Sequence, residues 1–425
     1  MFMHLGALSR WGACVVLEPA PGWLAHTRFL ARPKIRPKIR IMLMIGLMSG
    51  TSADAVDAAL VRWPTGPAFQ PFELLAEIEI PHPSETRERI QSLVDGAVAP
   101  GEVLAEQVAL DAALGEAFAI AAKTVAESAG MALSEIDGIA SHGQTLAHHP
   151  ERGGTLQIGS PSILAERTGC PVVADFRPRD LALGGEGAPL APFFHHAVFT
   201  DTNETRGVLN LGGIANLTFL PASAAGEDVV AFDVGPANSL LDGVVSLISD
   251  GREQMDRGGV RASAGTVHAA LLAELLEDEY LQRPPPKSTG RERYGRQACH
   301  DLVLRWREIE GSGSTDDLMA TLVAFTTEAV GLACRDWTQS GGAPLDRLLV
   351  GGGGAHNPAV MDGLRAALSG VPVESFDRYG VPVGAAEAMA FSLLGRNALL
   401  GLPNHLPHCT GARRAAVLGV VVPGS

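Results

Sequence analysis

The apolar positions of this chain fall into short alternating runs broken by small, hydroxyl-rich or glycine-rich turns, with longer stretches of helical period between them. In Ile45-Gly-Leu-Met-Ser-Gly-Thr-Ser-Ala-Asp-Ala-Val-Asp-Ala-Ala-Leu-Val61 the alternation runs on both sides of Ser49-Gly50-Thr51-Ser52, which predicts strand, tight turn, strand. Gly207–Leu220 repeats the pattern around Gly212-Gly213, as a structural duplication would. Val229–Asp242 puts Asp233 at the end of an apolar strand, before a Pro-initiated helix with Leu240, Leu241, Val244, Val245 and Ile248 on one face. Leu348–Met361 predicts a strand, the four glycines Gly351, Gly352, Gly353 and Gly354, and a helix with Asn357 as its N-cap.

Between these motifs, a long Ala- and Leu-rich helix over Val103–Ala129 leads into a strand Ile136–Ala140 and a polar loop Ser141–Thr145. Ser160 is the expected cap of a helix begun by Pro161 and ended by Gly169, followed by a strand Pro171–Phe176. Crossovers of this kind predict an α/β fold with a mostly parallel sheet flanked by helices. The Gly/Pro-rich passage Arg177–Pro192 is expected to line a cleft, Arg283–Gly295 to form a loop near a nucleotide, and a helix over Asp316–Gln339 to be core.

The turn chemistry suits phosphate. Glycine lets a backbone approach an anion, the Thr51 and Ser52 hydroxyls and loop N–H groups donate to phosphate oxygens, and Asp54 and Asp57 are candidates to hold the accompanying Mg²⁺. The competing reading is an ordinary surface hairpin. The glycine run lacks the Gly-Lys-Ser/Thr of a Walker A loop, and its spacing breaks the G-x-G-x-x-G of a dinucleotide turn. What remains is a plan with two phosphate hairpins, one from each half, and a later glycine loop for adenosine, similar to that of sugar kinases, actin and heat-shock chaperones.

Within that superfamily the chain resembles the anhydro-N-acetylmuramic acid kinases. The resemblance is carried by GLMSGTSADAVD (Gly46–Asp57), SHGQT (Ser141–Thr145), LQIGSP (Leu156–Pro161), ADFRPRDLALGGEGAPL (Ala174–Leu190), LNLGGIANL (Leu209–Leu217), FDVGPAN (Phe232–Asn238), PKSTGRERYG (Pro286–Gly295), GGGGAHN (Gly351–Asn357) and EAMAF (Glu387–Phe391). Departures are few: Ala53 and Ala55 stand where Leu and Gly are usual, Pro178 sits in an Arg-rich run, and Glu186 replaces Gln. Ala55 matters most, because losing a glycine would tighten the loop beside the phosphates.

The resemblance implies two ribonuclease-H-like domains of the actin-like ATPase and sugar kinase superfamily, with the active site in the cleft between them. Domain I would comprise residues 42–180 with about 390–425, and domain II about 181–389. It also implies ATP and Mg²⁺ as cofactors, and an activity that opens 1,6-anhydro-N-acetylmuramic acid with water and phosphorylates its 6-oxygen. The nucleotide residues would be Gly50, Thr51, Ser52, Ala53, Asp54, Ala55, Val56 and Asp57, then Gly212, Gly213 and Asn216, then Gly351–Gly354 and Asn357. Asp233 falls at the family's catalytic aspartate and Glu387 at the sugar site.

Structural roles compete at several of these positions. Asp233 would serve equally as a helix cap, and Glu387 is favoured at a helix start by the dipole alone. Asp175 and Asp180 are weaker rivals for the base. Arg177 would either pair with a neighbouring acid or take the substrate's carboxylate. His142 and Gln144 are candidate sugar or phosphate contacts, whereas His148, His149, His195 and His196 lack metal-site spacing and are expected to be solvated or supporting. Two alternatives stay open: another sugar or carboxylate kinase, and a non-catalytic ATP-gated clamp.

Composition agrees. A chain of 425 residues is too long for one ordinary core, so two domains are expected, and 46% hydrophobic residues without an unbroken membrane-length apolar run predict a soluble globular protein. A formal net charge of −14 and 5% aromatics argue against nucleic acid. Five cysteines without a C-x-x-C pair fit reduced thiols and a cytoplasmic location. The small sugar is the expected partner, and a homodimer is compatible with the sequence. Residues 1–41, with the tandem Pro33-Lys-Ile-Arg-Pro-Lys-Ile-Arg40, read as an upstream extension or a start-site artefact.

Overall fold

The alternating runs form a hairpin-led sheet. β1 (Ile41–Ser49), β2 (Ala55–Pro64) and β3 (Glu73–Pro81) make an antiparallel meander, and β4 (Gly138–His149) then pairs parallel to β1. β5 (Gly154–Ile158) turns back on β4, and β6 (Val172–Ala174) extends the parallel side. The second sheet repeats this plan with β7 (Arg206–Leu211), β8 (Ile214–Leu220) and β9 (Val230–Pro236) as the meander, then β10 (Arg347–Gly351) and β11 (Val373–Ser375) in parallel. β12 (Val420–Val422) returns to the outer edge of the first sheet beside β6. The orders β3-β2-β1-β4-β6 and β9-β8-β7-β10-β11 are the same, so the expected duplication is present. This is the computed structural model of the chain, which divides into residues 1–38 and 39–425; the residues described are 41–50, 53–309 and 313–425. Thr51, Ser52 and the expectation for residues 1–40 lie outside them.

Strands buried on both faces organise the layers. In β1, Ile45 and Leu47 face the Val103–Ser128 helix and its Leu110, Leu114 and Phe118, while Met42, Met44 and Met48 face the opposite way. That second face meets Val208, Leu220 and Leu349 of the other sheet through the helices Ala191–Phe199 and Ala386–Leu400, so a common apolar layer joins the sheets. Leu209, Leu211, Leu217 and Phe219 turn outward to the helices Asn238–Ile248 and Thr315–Gln339. The latter helix is long and apolar enough to cross a membrane, but most of its apolar window is buried in this core. Leu318, Leu322, Phe325 and Ala329 are among its buried residues, as its period predicts.

The Ala386–Leu400 helix sits unusually close to the first sheet. A Cβ on Gly46 would fall 1.8 Å from the Ala388 carbonyl oxygen, and one on Gly395 would fall 2.4 Å from the Ala140 Cβ. Small residues on both sides permit this approach.

Four expectations need correction. The first sheet is mixed, not mostly parallel, because each half opens with hairpins whose strands can only return antiparallel. Ser141–Thr145 is not a loop: β4 runs through it, with Leu47 opposite Ser141, Ser49 opposite Gln144 and Gly143 at φ 76° absorbing an irregularity. Pro236 ends the edge strand β9, where no N–H is needed, and the helix starts at Asn238. β6 stops at Ala174, since Asp175 turns left-handed at φ 54° and a helix begins at Phe176.

A chain starting at Met42 retains every paired residue of β1 except Ile41. It is expected to fold and turn over like the full chain, and loss of soluble or active protein would show that the preceding residues contribute.

Candidate active site

The first hairpin is held from beneath by buried polar groups. Ala53 N–H donates to the Gly50 carbonyl at 3.0 Å, closing a turn, and Ala53 adopts φ 52°, a left-handed conformation uncommon for alanine. Ser49 Oγ lies 2.6 Å from Gln144 Oε1, 3.0 Å from the Ala55 carbonyl and 3.1 Å from His82 Nε2. Gln144 Nε2 also donates to the Gly50 carbonyl at 3.1 Å, so this buried side chain is spent on the turn itself. Val56 faces the outer core, and Ala55 is a buried strand residue without positive φ, so the usual glycine there is not needed for backbone conformation.

The second hairpin turns through Gly212-Gly213 and brings Asn210 opposite Asn216. Asn216 Nδ2 donates to Asp233 Oδ1 at 2.7 Å, and the Thr289 N–H donates to Asp233 Oδ2 at 3.0 Å. The backbone of Asp233 is gripped as well, its N–H by the Lys287 carbonyl at 3.2 Å and its carbonyl by Tyr280 Oη at 2.8 Å. Burial raises the Asp233 pKa, and the two donors to its carboxylate offset only part of that rise. Asp233 is thus a fixed carboxylate with enhanced basicity.

Between the sheets lies a cavity of about 270 Å³, with Met48, Arg177, His195, Asn210, Asn216 and Glu387 on its walls. A larger groove of about 780 Å³ on the Pro358–Ala367 helix and β11 contains neither Asp233 nor Glu387 and offers no comparable chemistry. Arg177 Nε and Nη2 both point at His142 Nε2, at 3.1 and 2.9 Å, and Nη1 donates to the Gly187 carbonyl at 2.8 Å. The guanidinium can only donate, so His142 Nε2 accepts and its Nδ1–H faces the Gly143 carbonyl at 3.0 Å. Burial, reinforced by the Arg177 charge, holds the His142 pKa well below its ordinary value and the ring neutral. Burial also pulls Arg177 down to about 10, with Glu387 pulling the other way. Glu387 lines the cavity with its side chain partly exposed, and desolvation by the surrounding protein raises its pKa against the pull of Arg177.

Asp57 lies opposite Glu79 across the β2–β3 pairing. Burial, then the charges of Glu79 and Glu387, push its pKa up to about 7. Carboxylate oxygens whose ionisation is costly without a counter-charge suit a hard divalent cation, but among the described residues no three His, Cys, Asp or Glu side chains group to hold a metal by themselves. In the glycine run, Gly352 has φ 76° and comes so close to Leu211 that a Cβ would fall 2.7 Å from its carbonyl. Gly351 and Gly354 are filled against Phe376 and Leu211, while Gly353 faces open space apart from Asn238. Asn357 Oδ1 caps its helix by accepting from the Ala359 N–H at 3.1 Å, as its position predicts.

Thus Asn216 and Asp233 meet, as do Arg177 and His142, and Arg177, Asn216 and Glu387 share one cavity. Gln144 is engaged by Ser49 and Gly50 of the first hairpin instead, and Asn357 by the start of its own helix. His195, expected to be solvated or supporting, is buried on the cavity wall, with Nδ1 2.9 Å from Thr218 Oγ1. Asp180 is wholly buried and Asp175 is exposed, outside the cavity walls. Sequence reasoning does not reach Asn210, Thr289 or Tyr280. The near-symmetric Asn-Leu-Gly-Gly-Ile-Ala-Asn pattern is the available signal for Asn210, Thr289 lies in the Arg283–Gly295 segment expected near a nucleotide, and nothing local marks Tyr280.

A family model described as anhydro-N-acetylmuramic acid kinase matches residues 42–424. Similar curated proteins carry the same description. One from Salinibacter ruber is 42% identical over 387 residues, covering 88% of this chain and 95% of its own. Another from Streptomyces coelicolor is 41% identical over 380 residues, with 88% and 92% covered. A third, from Caldanaerobacter subterraneus, is 38% identical over 381 residues, with 88% and 95% covered.

Proposed function

The chain belongs to the anhydro-N-acetylmuramic acid kinase family, and from that premise we propose how its cleft phosphorylates the anhydro sugar. ATP is the phosphoryl donor, and the sugar occupies the cavity bearing Arg177, Asn216 and Glu387. The 6-oxygen of this substrate is locked in the 1,6 bridge, so it cannot attack phosphorus as a free hydroxyl. Asp233 takes a proton from a water, whose oxygen bonds to the anomeric carbon. The bond from that carbon to the bridging oxygen breaks, and the freed 6-oxygen accepts the γ-phosphoryl group, leaving N-acetylmuramic acid 6-phosphate and ADP.

The single observation that supports this reading is the placement of Asp233. It is held at both oxygens, made more basic by burial, and one hydrogen bond from the cavity wall through Asn216. The fixed neighbours orient the carboxylate, and burial supplies the basicity. Arg177 is suited to the lactyl carboxylate of the sugar, since His142 and Gly187 engage three of its N–H groups and leave two for the cavity. Glu387 faces the sugar's polar groups. The hairpin backbones and the glycine loop receive the nucleotide, and Asp54 and Asp57 would hold Mg²⁺, which when bound would neutralise phosphate charge. Reduced thiols and the substrate favour a cytoplasmic enzyme. A coupled assay for ADP, with and without the anhydro sugar, tests the proposal: sugar-independent ADP release at the same rate would refute it.

Gly213 offers a separate test of the hairpin. It lacks positive φ, and a Cβ there meets only Ser239 Cβ at 3.6 Å, so the protein itself tolerates a side chain. Gly213→Val is therefore expected to melt like the parent while nucleotide affinity and turnover fall together. Unchanged ATP binding in calorimetry would make this turn merely structural.

A further inference from the structure

Behind Arg177 runs a polar network that reaches the C-terminal part of the chain and plays no part in the mechanism above. Asp180 is wholly buried. Its Oδ1 accepts from Thr410 Oγ1 at 2.7 Å and lies 2.7 Å from His405 Nδ1, and its Oδ2 accepts from the Gly187 N–H at 2.8 Å. His405 is also buried, and its Nε2 accepts from the Ala416 N–H at 3.0 Å. That bond fixes the ring's lone pair on Nε2 and its proton on Nδ1, toward Asp180. Although burial opposes ionisation, His405, Thr410 and Gly187 together hold the Asp180 carboxyl below its ordinary range.

The network ends at the cavity. Gly187, fastened to Asp180 through its N–H, presents its carbonyl to Arg177 Nη1. The loop can approach this closely because residue 185 is glycine: a Cβ on Gly185 would fall 2.2 Å from Asp180 Oδ2. His142 holds the other side of the guanidinium. Arg177 is therefore bracketed by two groups, one of which owes its place to residues more than two hundred positions away in sequence.

We propose that Asp180, His405 and Thr410 are positioning residues for Arg177, and that the preference for a sugar bearing a carboxylate depends on them. This rests on the reading of Arg177 as the group that takes the lactyl carboxylate. A buried carboxylate with two hydrogen-bond donors and an imidazole nitrogen 2.7 Å away is costly to assemble, and apolar packing of similar volume often stabilises a fold as well. Its return here is geometric: the Gly187 carbonyl is fixed, and with it the direction in which the remaining guanidinium N–H groups point.

The test uses the full chain and its Thr410→Val, His405→Gln and Arg177→Lys variants. Kinetic constants are measured for ATP, for 1,6-anhydro-N-acetylmuramic acid, and for the corresponding anhydro sugar without the lactyl ether. Thr410→Val is near-isosteric and removes one donor to a charged acceptor, so the KM for the carboxylate sugar should rise about tenfold. Its kcat should stay within about twofold, the KM for ATP should not change, and preference over the ether-free sugar should fall by the same factor of about ten. His405→Gln should act in the same direction. Preference retained in both variants but lost in Arg177→Lys would overturn the positioning role and leave the network a structural staple. Loss of folded protein in both would have the same meaning. Preference retained in Arg177→Lys would instead refute the reading of Arg177, and the proposal with it.

Discussion

Replacing Asp233 by asparagine lowers turnover by about 10²–10⁴-fold, the usual worth of a general base, while both ligands still bind. The amide keeps the carboxylate's shape but cannot take the water's proton. The phosphoryl acceptor is released only when the bridge opens, so ring opening and sugar-dependent ADP release should fall in step. With the parent enzyme in heavy-oxygen water, the label should enter at the anomeric carbon and not in the new phosphate. Label in the phosphate would mean that water attacks phosphorus. Near-normal turnover by Asp233→Asn would transfer the role elsewhere. Asp180 is a poor candidate because it is buried and both its oxygens are engaged, and Asp175 is outside the cavity walls, which leaves Glu387.

Asp57→Asn should be more stable and much less active than the parent. Burial and neighbouring acids raise the folded-state pKa of Asp57 to about 7, far above an unfolded aspartate. A raised carboxyl pKa costs stability fully above about pH 7, and that cost disappears as pH falls below about 4, where both states are protonated. A carboxyl that titrates near 7 when folded and near 4 when unfolded costs at most about 4 kcal/mol, and solvent access to this half-buried group reduces that figure. The variant should therefore melt higher at pH 8, with its advantage shrinking toward pH 4. Added Mg²⁺ should raise the melting temperature of the parent and not of Asp57→Asn, because a ligand of the native state stabilises only where it binds. Equal responses in the two proteins would remove Asp57 from the metal site.

Both hairpins were legible because their information is local: alternation on either side of a small-residue turn specifies two paired strands whatever surrounds them. Asn357 was legible for the same reason, since an N-cap is chosen by the residues that follow it. Longer-range pairing was not. Ser141–Thr145 looks like a loop by composition, but the edges of β1 and β5 supply partners for its backbone, and Ser49 and Gly50 satisfy the Gln144 side chain. The grip on Asp233 from Thr289 and Lys287 crosses more than fifty residues of chain, and no local pattern reports it. Asp180 poses a related difficulty. Nothing near it in sequence reports that its carboxylate turns to Gly187, Thr410 and His405.

The seat of the Ala386–Leu400 helix on the first sheet leaves no room for even a methyl group at Gly46. A helix so tightly seated would carry Glu387, at its start, along with the strand leading to the first hairpin. Asp233 is tied to β8 and to the loop ending at Thr289, on the other sheet. Any motion between the sheets would then alter the separation of these two carboxylates along essentially one coordinate. The cleft would act as a caliper whose jaws are the two acids, and a sugar would be gauged by the span at which both can reach it.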